Sequence, residues 1–259
     1  MKYDFQVFEV SREYALELIQ KYHYSNTLPR INKHFVGFFL DSELVGVVTL
    51  GYGTRPEHTI KKLFPTLDTN DYLEIGRMAM TEAMPKNSET QMLSALCKWI
   101  KKNCPNVKVL FTWSDGMLGK CGYVYQAASF TYAGKSLTDI YLKDGVKIHP
   151  RQTRLLFATS EDDTRLTIRP SLEQMTEQGI EHYRGYQYKY FRFLCSKSEK
   201  RSLLKTCAVD LSTPPPKDKD LVWQVQDKRT GKWIASDKPP YKEDKRFCES
   251  PNENQLKLF

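Results

Sequence analysis

The order of apolar patterns along the first 150 residues leaves few folds open. Residues 3–10 alternate apolar and polar side chains with the period of a half-buried strand. Ser11 stands where an N-cap is wanted, and Tyr14, Leu16, Leu18 and Ile19 follow on a helix that ends near Tyr22. Residues 34–40 and 44–50 read as two strands of a hairpin that turns at Asp41-Ser42. Residues 54–70 contain two prolines and read as an irregular insertion. A strand over 72–80, a loop over 81–88 and a helix over 89–103 come next, the helix placing Met92, Leu93, Leu96, Cys97 and Ile100 on one face. Residues 107–113 form a strongly apolar strand, 119–128 a short helix, and 130–132 the start of another strand. Residues 138–142 and 146–148 flank Lys143-Asp144-Gly145, a hairpin turn. The order β-α-β-β-β-α-β-α-β-β predicts an α/β (α+β) fold, with helices on both faces of a mixed central sheet.

Further along, 186–194 reads as an aromatic-rich strand and 197–205 as a basic run behind it. Thr213-Pro214-Pro215-Pro216 breaks the chain, so a linker is expected over 213–220. Residues 221–236 suit a small hairpin around Thr230-Gly231, and the polar, Pro-containing stretch 237–259 suits a disordered tail. Residues 1–212 would then be the catalytic domain, followed by a small C-terminal appendage and the tail.

The formal charge of +8 favours polyanionic partners, because each neutralised phosphate releases counterions. The six cysteines carry no CxxC pair, so a zinc site is not expected and any other metal requirement is left open. No stretch reaches the apolar length of a membrane span, and the first residues lack a signal-peptide core, so a cytoplasmic protein is expected.

Four segments carry chemistry. Tyr22-His23-Tyr24-Ser25 offers an imidazole, two phenols and a hydroxyl at the end of the first helix. His23 suits a general base near neutral pH, and equally a helix C-terminus. Glu74-Ile75-Gly76-Arg77 lies in a strand; Gly76 permits close approach, and Arg77 suits a bidentate clamp or a solvated face. Trp113-Ser114-Asp115-Gly116 follows a buried strand, where α/β sheets hold ligands, although Asp-Gly also makes a plain turn. Residues 122–134 turn from a short helix into a strand through an aromatic corner that includes Tyr125.

The last of these segments resembles the late helix–strand corner of GNAT acyltransferases, in which a tyrosine protonates the departing thiolate; Tyr125 is the match. Taken in order, the four segments resemble the Mom family of phage DNA-modification proteins, over about residues 11–150. The resemblance implies a GNAT-like fold and a transferase that places a carbamoylmethyl group on the exocyclic nitrogen of adenine, blocking restriction enzymes. It implies catalytic roles for His23, Tyr24, Ser25, Asp115 and Tyr125, and donor contacts from Arg77, Lys86, Ser88 and Ser114. A stacked adenine hides its reacting atoms, so the base must flip out, with Tyr22, Tyr24 and Trp113 as stacking candidates. Lys197, Lys200, Arg201 and Lys205 would hold double-stranded DNA or a tRNA, or simply face solvent.

The donor is open between acetyl-CoA and glycyl-tRNA. CoA-dependent GNAT enzymes carry a glycine-containing loop after the fourth strand, and here Met80 through Glu89 contains no glycine. The carbamoylmethyl addition equals one glycine residue in net atoms, whereas direct acetyl transfer leaves an acetyl group. The final residues, Gln255-Leu256-Lys257-Leu258-Phe259, resemble the Gln-Leu-x-Leu-Phe peptide that binds the bacterial sliding clamp. Gln255 would add a polar contact there, and Leu256, Leu258 and Phe259 would fill an apolar groove. Two other functions stand beside this one: a GNAT N-acyltransferase for a small amine or a protein, and a non-catalytic adaptor between DNA and clamp.

Overall fold

Ser11 caps the first helix as its position suggests, its hydroxyl accepting from the Tyr14 N–H. Strand β1 (Gln6–Glu9) precedes that helix, α1 (Arg12–Tyr22), and the hairpin β2 (His34–Leu40) and β3 (Glu43–Gly51) follows. The computed structural model describes residues 2–25, 28–29, 31–148 and 171–240. The insertion at 54–70 contains a short helix, α2 (Ile60–Leu63), before β4 (Tyr72–Met80). Helix α3 (Ser88–Asn103), strand β5 (Val109–Asp115), the short α4 (Tyr123–Ala127) and strands β6 (Thr131–Lys143) and β7 (Val146–Ile148) follow. The chain then forms α5 (Leu172–Glu177), β8 (Ile180–Phe193), α6 (Lys197–Lys205) and the hairpin β9 (Trp223–Gln226) and β10 (Trp233–Ser236).

Ten strands form one mixed sheet in the order β1-β2-β3-β4-β5-β8-β6-β7, with β9 pairing to β8 and β10 to β9. Only β4 and β5 run parallel. Helices cover both faces, as the alternation of apolar segments requires. On one face Met92, Leu93, Leu96, Cys97 and Ile100 of α3 and Tyr125 of α4 pack on Val48, Leu50, Leu73, Ile75 and Leu110. On the other, Ala15, Leu18 and Ile19 of α1 pack on Val47 and Ala79, while α2 and Leu203 of α6 cover Tyr72, Val109, Phe111 and Phe191.

Three expectations change. Strand β6 is continuous over 13 residues instead of two pieces, because the chain passes between them through a bulge: the pairing to β8 shifts between Tyr132 and Lys135, with Gly134 at φ +89°. The basic run at 197–205 is a helix, held at its start by a reciprocal Ser196–Glu199 capping box. Residues 213–220 lie against α4, the Pro216 carbonyl accepting from Gln126 Nε2 at 3.3 Å and the Asp218 N–H donating to the Tyr123 hydroxyl at 3.4 Å. The expected hairpin forms, and β9 ties it to the main sheet at Tyr183 and Arg184. The tail from residue 241 onward, with the clamp-like peptide, lies outside the described residues.

A second bulge organises the centre of the sheet. Thr49 pairs with Arg77 and Leu50 with Ile75, which leaves Gly76 as the extra residue of β4. Strict alternation would put Glu74 and Arg77 on opposite faces. The inserted residue returns Arg77 to the α1 face, beside Thr49 and in line with Val47 and Ala79. A Cβ at Gly76 would stand 2.6 Å from Pro29 Cγ and 3.0 Å from Thr49 Oγ1. Gly76→Ala should therefore lower stability by about 1–3 kcal/mol, as overpacking does. Urea denaturation should show a lower midpoint with an unchanged slope; an unshifted midpoint would mean that Pro29 yields freely.

Candidate functional site

Strands β4 and β5 pair only from Tyr72 with Val109 to Glu74 with Phe111, and then part. Beyond that point β5 continues against β8 to Asp115, while β4 continues against β3 to Met80. The side chains that border this gap on the α1 face are Glu74 and Arg77 from β4 and Trp113 and Asp115 from β5.

Glu74 sits where the strands separate, at a hollow lined by Gly51, Gly53, Thr54 and Gly76. A Cβ at Gly53, which has φ +71°, would collide with the Glu74 carboxylate. The Trp113 side chain faces the carboxylate across the gap. Burial raises the Glu74 pKa to about 7, against the opposing pull of Arg77 and of the Trp113 side chain.

Arg77 is the hub. Its backbone N–H donates to Thr49 Oγ1 at 2.9 Å, Nη1 to the Gly76 carbonyl at 2.7 Å, and Nη2 to Ser25 Oγ at 3.1 Å. Its pKa is lowered by burial, while Tyr24, Asp115 and Glu74 hold the charge in place. Asp115 ends β5, its carboxylate accepting from the Met117 N–H at 3.0 Å. The Lys147 residue on β7 is exposed as a whole, yet burial of its ammonium lowers its pKa, with Asp115 opposing that shift and Arg77 adding to it.

His23 ends α1, its backbone N–H bonded to the Ile19 carbonyl at 2.8 Å. Nδ1 lies 2.9 Å from the Ser25 N–H and 3.0 Å from the Ser25 carbonyl, so either neutral tautomer finds a partner there. The ring stacks on Tyr24 with centroids 4.3 Å apart. Burial first, then the Arg77 and Lys120 charges, lower its pKa to about 3, so the imidazole is neutral at physiological pH. A weakly basic imidazole beside cations is suited to hydrogen bonding a ligand more than to holding a proton.

The structure thus gathers His23, Tyr24, Ser25, Arg77, Trp113 and Asp115 from three separate segments. It does not gather the rest. Tyr125 projects to the opposite face of the sheet, where its hydroxyl lies near Thr112 and its ring packs between the Phe130 and Tyr190 rings at 5.6 and 5.7 Å. Thr112 and Trp113 are consecutive, so alternation along β5 puts the tyrosine across the sheet from the cluster. Ser114 also points away, its buried hydroxyl donating to the Lys120 carbonyl at 2.9 Å. Ser88 is buried and its hydroxyl donates to the Pro85 carbonyl at 2.6 Å; Asn87 is the N-cap of α3. Lys86 is exposed on the loop before α3. Tyr22 packs with the α1 cluster, with Lys21 Nζ 5.2 Å from its ring centre. Lys197, Lys200, Arg201 and Lys205 lie exposed on α6.

Sequence reasoning passed over Glu74, Thr49, Lys120 and Lys147 as site residues. For Glu74 the signal was present: a carboxylate two residues before a strand glycine, and three before an arginine. Among the described residues no group of three or more His, Cys, Asp or Glu side chains is placed to hold a metal ion, and no helix is long and apolar enough to cross a membrane.

The Mom protein family matches residues 4–209 of the chain. Among curated proteins, the methylcarbamoylase mom of Escherichia phage Mu is 29% identical over 187 residues, covering 72% of this chain and 74% of that protein. Among solved structures, a Bacillus subtilis acetyltransferase in complex with CoA is 15% identical with a TM-score of 0.39, covering 74% of this chain and 98% of that one. The aminoglycoside enzyme AAC(6')-Ib in complex with ribostamycin and coenzyme A is 14% identical with a TM-score of 0.40, covering 52% and 87%.

Glu74 and His23 make stability depend on pH in opposite senses. The Glu74 pKa rises from 4.5 to about 7 on folding, so its contribution is complete below about 4.5 and is lost as pH rises through about 7. The His23 pKa falls from 6.5 to about 3, so its contribution is complete above about 6.5 and is lost as pH falls toward 3. Glu74→Gln should match the parent in melting temperature near pH 4.5 and exceed it at pH 8.5. A constant difference between the two proteins across that range would mean that the carboxyl titrates normally.

Proposed function

The chain belongs to the Mom protein family, and on that premise we propose that it is a transferase that modifies adenine in double-stranded DNA at the cleft between β4 and β5. The phage Mu relative is named a methylcarbamoylase, and the proposed product carries the corresponding carbamoylmethyl group on the exocyclic N6 nitrogen. The observation that carries the mechanism is the Glu74 carboxyl. It stands at the strand divergence, facing Trp113, with Arg77 beside it and a pKa of about 7.

An exocyclic amine conjugated to a purine is a poor nucleophile. It gains reactivity when its proton leaves as the new bond forms, and a carboxylate with a pKa near the working pH is suited to take it. In this reading Glu74 accepts that proton as the adenine nitrogen bonds the donor's carbonyl carbon and the donor's ester oxygen or thiolate leaves. With a glycyl donor, the glycyl amine then attacks the ring carbon, and the bond from that carbon to the original nitrogen breaks. That nitrogen takes up the proton to become the carboxamide of the carbamoylmethyl group. Arg77 faces the negative charge that develops on the attacked carbonyl oxygen, and neutral His23 donates or accepts a hydrogen bond without adding charge. Asp115 and Lys147 hold Arg77 between opposite charges and fix its position. Tyr24 and Trp113 offer ring faces to a flipped base. The size of the addition reports the donor: a glycine-sized group points to a glycyl donor such as glycyl-tRNA, and an acetyl-sized group to acetyl-CoA.

Nucleoside mass spectrometry on DNA from bacteria expressing the protein tests the reading. The parent should produce a new adenosine species. Glu74→Gln should reduce it by a factor of at least about 100, the usual worth of a general base. The parent rate should rise with pH through about 7. Tyr125→Phe should keep modification within a few-fold, because the buried hydroxyl lies across the sheet. Full modification by Glu74→Gln, or its loss in Tyr125→Phe at unchanged stability, would sink this assignment.

A further inference from the structure

We infer that Lys62 and Lys189 form a seat for a backbone phosphate of the nucleic acid, at the edge of the cleft beside Trp113. The inference rests on the reading of DNA as the substrate and adds the place where the strand is held.

Lys189 lies on β8 directly opposite Trp113 of β5, and cross-strand partners point to the same face. Its ammonium lies 5.9 Å from the centre of the Trp113 ring, which faces Glu74. Further along the same face of β8, Phe191 and Phe193 contact Phe64, the residue that ends α2, with ring centres 5.0 and 5.5 Å apart. That packing places α2, which carries Lys62, on the same face of the sheet as Lys189. Burial first, and then the Lys62 charge, lower the Lys189 pKa.

The nearby cations differ in one respect. Lys61 is bonded to Glu57 at 2.8 Å, and Lys108 to Asp71 at 3.0 Å. Among the described residues neither Lys62 nor Lys189 has a carboxylate within ion-pair distance. Folding thus sets the partly buried Lys189 ammonium at the Trp113 ring, with the charge of the exposed Lys62 acting on it, an arrangement of like charges that an anion would relieve. A phosphate oxygen there would meet two charge-assisted donors. Its nucleotide would lie beside Trp113 and the hollow at Glu74. The first turn of α3 is on the other face of the sheet, so this seat serves the strand that is modified, not a diphosphate held at that helix.

The test is binding of a short labelled duplex to the full chain over a salt series, with Lys62→Met and Lys189→Met, which keep an apolar stem of similar length. Each substitution should reduce the slope of log K against log salt by roughly 1, and the pair by roughly 2. Lys61→Met should leave the slope unchanged. Inorganic pyrophosphate, followed by thermal shift, separates the two sources of phosphate. If the methionine variants lose a pyrophosphate shift while their DNA slope is intact, the seat belongs to a small diphosphate and the inference is overturned. If the parent binds DNA and both variants keep its slope, this inference fails and the proposed function stands. If the parent shows no salt-dependent binding to DNA, both fall.

Discussion

One extra residue in β4 decides where the chemistry can occur. Without the bulge at Gly76, Glu74 and Arg77 would project to opposite faces, and no rotamer would bring them together. With it, a carboxylate and a guanidinium share the face that α1 delivers His23 to, and β4 is turned just beyond its last pair with β5. The bulge is in turn held by packing, with Thr49 receiving the Arg77 N–H and Pro29 closing over the glycine. The cleft, the Arg77 position and the Ser25 contact all depend on a residue with no side chain.

The cluster that results is not arranged for stability. Ion pairs elsewhere in the chain are conventional, such as Lys61 with Glu57. Here a carboxyl is raised to about 7 and an imidazole lowered to about 3 within one cleft, the first by burial and the second by burial beside cations. The Glu74 shift is free energy that the fold gives up as pH rises toward and above neutral, and the His23 shift is free energy it gives up only as pH falls below about 6.5. Groups poised in this way, facing a gap between strands, are the arrangement expected of a site that moves protons. Were Glu74 placed next to Arg77 only to neutralise it, its pKa would fall below the usual carboxylate range.

The sheet was largely legible because its signals are local. The β2–β3 hairpin, the boundaries of β4, the α3 face and the β9–β10 hairpin follow from period and turn chemistry in short windows. Both helices after residue 170 had signals that reading for hydrophobic period passes over. Ser171 with Gln174 and Ser196 with Glu199 are capping boxes written three residues apart. The grouping of His23, Arg77 and Asp115 came from the ordered motifs, and the structure brings them together. Face assignment was not legible. Ser114, next to Asp115 in sequence, turns into the sheet's other side, and Tyr125 goes with it. A bulge changes which residues share a face, and Gly76 alone does not announce one.

That division between faces also bears on how a donor is held. Tyr125 is locked among Phe130, Tyr190 and Thr112, and its hydroxyl is buried there. At the start of α3, the Ser88 backbone N–H and hydroxyl both donate to the Pro85 carbonyl, so two donors of the first turn are already spent. A helix N-terminus attracts phosphate through its open N–H groups, and each internal bond there removes one. The face of α3 and α4 is therefore built mainly as core. Lys62, Lys189, Lys120 and Lys147, with Arg77 among them, place positive charge toward the face where β4 and β5 separate. Cations gathered on one face of a sheet attract an anion to that side, which is a reason to look for a phosphate-bearing ligand there and not at the start of α3.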